Sequence, residues 1–133
     1  MKAIVVTSGL MTDGKRILLS QRREEDEQGL LWEFPGGQVE EGEEPRQALV
    51  RELREELEVE VEVGALFDVV FYPYPGRAVL LLVYRCRIRA GSPRPRGCRD
   101  LRWVAREELG SLAMPPADEP IRHRLLAQAL STP

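Results

Sequence analysis

Glu52, Glu55 and Glu56 stand three and four residues apart in a stretch that reads as helix, so their carboxylates share one region of its surface. Carboxylates packed together repel one another, and a multivalent cation relieves that repulsion. Hard oxygen donors suit Mg2+, with Mn2+ as a substitute. The three belong to a run of nine glutamates between residues 40 and 60. Gly36-Gly37 precede them. A glycine pair permits a tight turn and a close main-chain approach, which could set a backbone carbonyl against the same cation. Taken alone, the cluster reads equally well as a solvated helix face held by i,i+4 ion pairs such as Arg51 with Glu55.

The spacing over a longer window separates these readings. Gly37, Glu43, Arg51, Glu52, Leu53, Glu55, Glu56 and Val59 match G-x5-E-x7-R-E-U-x-E-E-x-G-U, where U is apolar. The chain thus resembles the Nudix family across its defining box. One position departs: the second glycine is Glu58, at the helix exit where glycine serves as a left-handed cap. The resemblance implies a Nudix fold, an α/β/α sandwich with a mixed β-sheet and the acidic helix packed on it. It also implies metal ligands at Glu52, Glu55, Glu56 and the carbonyl of Gly36. Glu52 would be the general base and Arg51 would orient it by a charge-assisted bond. Glu43 would support the loop and Arg51.

Two further segments, Trp32-Glu33-Phe34-Pro35-Gly36-Gly37 and Met114-Pro115-Pro116-Ala117-Asp118-Glu119-Pro120, resemble the MutT-like branch. That branch hydrolyses nucleoside triphosphates to monophosphate and pyrophosphate, and the likeness covers nearly the whole chain. It implies substrate binding by Arg22, Phe34 and Asp118. Two positions depart from the branch. The further glutamate expected near residue 97 is Gly97, flanked by Arg96 and Cys98, and the lysine after the glycine pair is Gln38.

Asp118 aligns with the residue that meets the nucleobase edge. An ionised carboxylate only accepts hydrogen bonds, which favours a base presenting an amino group, such as cytosine. The expectation is therefore a (d)CTP-type or modified-cytosine triphosphate. An 8-oxo-dGTP sanitising diphosphatase is the alternative if Asp118 stays protonated. A nucleotide-binding module without catalysis is the third reading. It is disfavoured because Glu52, Glu55 and Glu56 are all present. Capping of the last helix is the purely structural role open to Asp118.

The elements that must position these residues follow from patterning. Residues 3–8 read as a buried strand, Asp13-Gly14 as a turn, and 16–22 as a second strand. Residues 30–34 read as extended because Pro35 disfavours helix before it. From Pro45 to Leu57 the pattern is helical, with Leu49, Leu53 and Leu57 recurring every four residues. Strands are expected at 59–63, 66–72, 78–88 and 101–105, and a helix at 117–130.

Bulk properties bound the function. A chain of 133 residues with 43% apolar content fits a single domain, 1–133. A net charge of −3 argues against nucleic-acid or membrane-surface binding. Two cysteines without a CxxC pair, no membrane-length apolar run and no cleavable leader pattern lead to the expectation of a soluble cytoplasmic protein, monomer or homodimer.

Overall fold

The computed structural model describes residues 2–128. Its sheet begins with a long strand, β1 (Ala3–Asp13), which turns through Gly14-Lys15 into β2 (Arg16–Gln21). Gly14 takes φ +61°, so the tight turn lies one residue later than the Asp13-Gly14 pair suggested. Two short strands follow, β3 (Trp32–Glu33) and β4 (Gly36–Gln38), then helix α1 (Pro45–Leu57). The hairpin β5 (Glu60–Tyr74) and β6 (Arg77–Ala90) comes next, then β7 (Asp100–Ala105). Two 3-10 turns, Arg106–Ser111 and Pro116–Asp118, lead to α2 (Glu119–Ala127).

The sheet order is β3-β2-β1-β6-β5, with β4 also on β1 and β7 also on β2. β1 runs parallel to β6 from Ala3↔Ala78 to Met11↔Cys86, while the other pairs are antiparallel. The sheet is therefore mixed. α1 covers one face and α2 with the 3-10 turns covers the other, as the sandwich expectation required. Met11, Leu18, Leu49, Leu53, Leu57 and Tyr84 close the α1 side. Leu19, Phe34, Val83, Val104, Leu109 and Ile121 are among those closing the other. Leu49, Leu53 and Leu57 are wholly buried, each worth roughly 1.5–3 kcal/mol, and this anchors the acidic helix.

Three expectations change. The strands expected at 59–63 and 66–72 are one strand, β5, because its register on β6 shifts between Val63 and Leu66 and again between Leu66 and Asp68. Such bulges break the period-2 pattern without ending the pairing. β4 went unread because Gly36-Gly37 carries no strand propensity, and only β1 makes it a strand. The last helix starts at Glu119 after a 3-10 turn rather than at Ala117; positions 129–130 of the expected helix lie outside the described residues. Among the described residues no helix is long and apolar enough to cross a membrane.

Candidate active site

α1 begins where the sequence indicates. The Glu44 side chain accepts from the Arg46 and Gln47 N–H groups at 3.1 and 3.3 Å, and Pro45 takes the first turn, where its missing N–H costs nothing. The helix ends at Glu58, which adopts the left-handed conformation at φ +59° despite its side chain. The turn that glycine would make is therefore made by glutamate, at some strain.

Arg51 is the hub of the acidic face. Its guanidinium donates to both oxygens of Glu43 at 2.7 and 2.9 Å, to Glu52 at 3.1 Å and to Glu55 at 3.0 Å. Glu43 also accepts from the Glu40 N–H, so it holds the loop and Arg51 together. The Arg51 hydrogen bonds pull the Glu43 carboxyl down to about 2. The Arg51–Glu55 pair offered by the solvated-face reading thus exists, but as one arm of a larger network.

The three helix glutamates are not equivalent. Glu55 is largely exposed, whereas the Glu52 side chain is only 15% exposed. Burial pushes the Glu52 carboxyl above the ordinary range against the pull of Arg51. Burial also pushes Glu56 up to about 8, with the charges of Glu52 and Glu33 adding to the shift. Among the described residues no three acidic, histidine or cysteine side chains stand grouped tightly enough to hold an ion as they are. Arg51 draws Glu52 and Glu55 to itself while Glu56 lies outside that network, so the carboxylates are less gathered than their spacing suggested. A divalent cation still fits this donor set. The oxygens are all hard, and Glu52 and Glu56 are half-buried acids whose mutual repulsion, once ionised, a cation would relieve.

The glycine pair has two separate reasons to be glycine. A Cβ on Gly36 would lie 1.9 Å from the Thr7 carbonyl oxygen, inside the β1–β4 pairing. A Cβ on Gly37 would lie 2.2 Å from the Glu52 carboxyl carbon. The Glu52 carboxylate is thus seated directly on Gly37. The Gly9 N–H donates to the Pro35 carbonyl and the Val39 N–H to the Val5 carbonyl, so the bonded pairs alternate and Gly36 falls between them. Its carbonyl therefore points away from β1 and stays available to a ligand.

Gly37 also lines a pocket of about 760 Å3, with Ile4, Val6, Ser8, Arg22, Glu33, Tyr74 and Asp118. That volume suits a nucleotide-sized ligand. Arg22 donates to Glu33 at 3.1 Å and to the Glu27 carbonyl at 2.7 Å, so it is a held pocket residue and not a loose strand-end arginine. Asp118 is 5% exposed and makes no side-chain capping bond to α2. Burial, with help from the Glu33 charge, raises its carboxyl well above the usual range, while the Phe34 N–H at the carboxyl opposes the shift. Of the two protonation states the sequence left open for Asp118, this direction favours the protonated one. The expectation for Phe34 is corrected. It is 1% exposed in the core and does not line the pocket.

Sequence reasoning passed over Glu33 and Tyr74. Glu33 sits inside a quoted motif, and an acid between Trp32 and Phe34 in a short extended segment was the available signal. Tyr74 accepts from the Ala117 N–H at 3.0 Å and so ties the β5–β6 turn to the segment carrying Asp118; nothing local announces that contact.

Comparison with known proteins agrees with this arrangement. The model of the NUDIX domain matches residues 2–128, and the chain belongs to the Nudix family. Its relatives there are MutT-like. It is 36% identical over all 133 residues to the CTP pyrophosphohydrolase of Escherichia coli K12, covering 98% of that protein. It is 34% identical over 126 residues to the 8-oxo-dGTP diphosphatase of Haemophilus influenzae, covering 94% of this chain and 93% of the relative. The solution structure of the Escherichia coli ORF135 protein superposes with a TM-score of 0.84 at 36% identity, covering 100% of this chain and 95% of that one.

Proposed function

We propose that this chain is a Mg2+-dependent pyrophosphohydrolase that cleaves a nucleoside triphosphate, preferably of cytosine, to monophosphate and pyrophosphate. One observation carries the reading: the Glu52 carboxylate, gripped by Arg51, rests on Gly37 at the wall of a nucleotide-sized pocket. The Glu52, Glu55 and Glu56 carboxylates with the Gly36 carbonyl would hold the cation, which neutralises phosphate charge and acidifies bound water, Mn2+ serving as a substitute. Glu52 takes the proton of the attacking water. The water oxygen bonds to the β-phosphorus, the bond from that phosphorus to the α,β-bridging oxygen breaks, and the monophosphate departs with the bridging oxygen. Arg51 holds Glu52 in place through this transfer, and Arg22 supplies positive charge at the pocket wall.

Asp118 meets the base edge in this reading. As an un-ionised acid it both donates and accepts. Cytosine offers a matching acceptor and amino donor side by side. The resemblance to a CTP pyrophosphohydrolase over the whole chain supports the same choice. The second reading, 8-oxo-dGTP hydrolysis, gains from the protonated Asp118, because a guanine O6 then meets a donor. Turnover of a panel of ordinary, 5-modified and 8-oxo triphosphates with Mg2+, against an EDTA control, tests both. The expected result is monophosphate plus pyrophosphate, fastest with a cytosine nucleotide. Equal rates on all four ordinary bases sink the base assignment. Absence of Mg2+-dependent turnover on any nucleotide gives the case to a binding module.

A further inference from the structure

A helix leaves its last carbonyls without intrahelical partners. At the end of α1 these carbonyls are met from far along the chain. The Arg94 N–H donates to the Leu57 carbonyl at 2.9 Å, and the Arg96 and Gly97 N–H groups both donate to the Glu56 carbonyl at 2.9 and 3.0 Å. The same loop lies on the side chain of Glu56. A Cβ on Gly97 would stand 2.9 Å from the Glu56 Cγ, 3.1 Å from its Cα and 3.2 Å from its Cβ. Only the first of these atoms can swing aside cheaply. Gly97 therefore covers one flank of Glu56. The loop is itself tied down. The Arg23 guanidinium donates to the Arg96 carbonyl at 3.0 Å, and the Arg99 N–H donates to the Gln21 carbonyl at 2.9 Å.

We infer that loop 94–97 is a clamp on the C-terminal turn of α1 that sets the position of the Glu56 carboxylate, with Gly97 as a positioning residue and Arg23 as its strap. The loop thereby presses main chain onto an existing acid. Every link from Arg23 to the Arg96 carbonyl, and from the Arg96 and Gly97 N–H groups to Glu56, is a hydrogen bond or close contact in the structure. Groups that hold a ligand in place act on metal affinity although they touch no metal. This inference rests on the proposed role of Glu56 as a cation ligand.

The test is Mn2+ binding to the nucleotide-free protein, read by water-proton relaxation, for wild type, Gly97→Ala, Arg23→Ala, Arg23→Lys and Glu56→Gln. Gly97→Ala is expected to weaken Mn2+ binding about tenfold or more. Its turnover at low Mg2+ should fall and should recover as Mg2+ is raised, with the nucleotide KM at saturating Mg2+ unchanged. A contact that served only stability would not give that metal-reversible split. Arg23→Ala should shift Mn2+ binding the same way by a smaller factor, and Arg23→Lys should restore part of it. A folded Gly97→Ala protein with wild-type Mn2+ affinity overturns the clamp. If Gly97→Ala does not fold, the Arg23 pair decides, and unchanged affinity in Arg23→Ala overturns it. Glu56→Gln separates the two levels. Wild-type Mn2+ affinity there removes Glu56 as a ligand, whereas weakened binding in Glu56→Gln alone leaves the ligand standing and rejects the clamp.

Discussion

Alanine at position 37 should silence the enzyme while leaving it folded. The added Cβ would lie 2.2 Å from the Glu52 carboxyl carbon and 2.3 and 2.6 Å from its two oxygens. Carbon atoms in ordinary contact stand about 3.5–4.0 Å apart, so the carboxylate must retreat by more than an ångström. Glu52 can do so by rotating its own side chain, because the atoms it would strike are the far end of a flexible group. A displacement of about 1 Å in a reacting group costs on the order of 100-fold in rate, or about 2.7 kcal/mol of transition-state stabilisation. Backbone strain is small, since Gly37 does not occupy the left-handed region. Stability should therefore stay within about 1 kcal/mol of wild type. Gly36→Ala supplies the contrast: there the Cβ would lie 1.9 Å from the Thr7 carbonyl oxygen and 2.7 Å from the Ser8 Cα, both main-chain atoms that cannot rotate away. That variant should lose β1–β4 pairing and much of its stability. The assay is kcat/KM on the preferred nucleotide beside guanidinium unfolding for each protein. Wild-type kcat/KM in folded Gly37→Ala refutes the reasoning. So does a Gly37→Ala protein as destabilised as Gly36→Ala.

Two other outcomes are expected. Glu58 holds a left-handed conformation that costs a residue with a Cβ about 1–2 kcal/mol, of which glycine's greater unfolded-state freedom returns part. Glu58→Gly should raise unfolding stability by about 0.5–1 kcal/mol, since the exposed Arg96–Glu58 pair it removes is worth little; a fall in the urea midpoint would contradict this. Asp118 has a raised proton affinity when folded, so the folded state keeps a proton that the unfolded state releases above about pH 4. Its contribution is intact below that pH and is lost as pH rises through the folded value. The amide introduced by Asp118→Asn stays neutral throughout, so the variant's melting temperature should gain on wild type as pH rises. A difference that does not vary with pH would show Asp118 to be ionised in the folded protein.

The acidic helix was legible because everything about it is local. Periodicity places Leu49, Leu53 and Leu57 on a buried stripe, Pro45 and Glu58 bracket the ends, and Arg51 lies within one turn of Glu52 and Glu55. Three to four residues of separation bring side chains near one another on a helix, but the reaction class came from the longer box spacing and the family resemblance it carries. The mixed sheet followed from the order of strands and helices and from the resemblance, while bulges in β5 and the glycines of β4 hid those two strands.

The remaining assignments depended on pairing between distant segments. The parallel pairing of β1 with β6 and the antiparallel pairing of β4 with β1 set Gly37 beneath Glu52. Folding brings Glu33 and Asp118 into the lining of one pocket, although 85 positions (118 less 33) separate them in the chain. Only the burial of Asp118 raises its proton affinity above that of a free aspartate. Residue type specifies which groups can ionise. Whether they do so depends on desolvation and on neighbouring charges, and those exist only once the chain has folded.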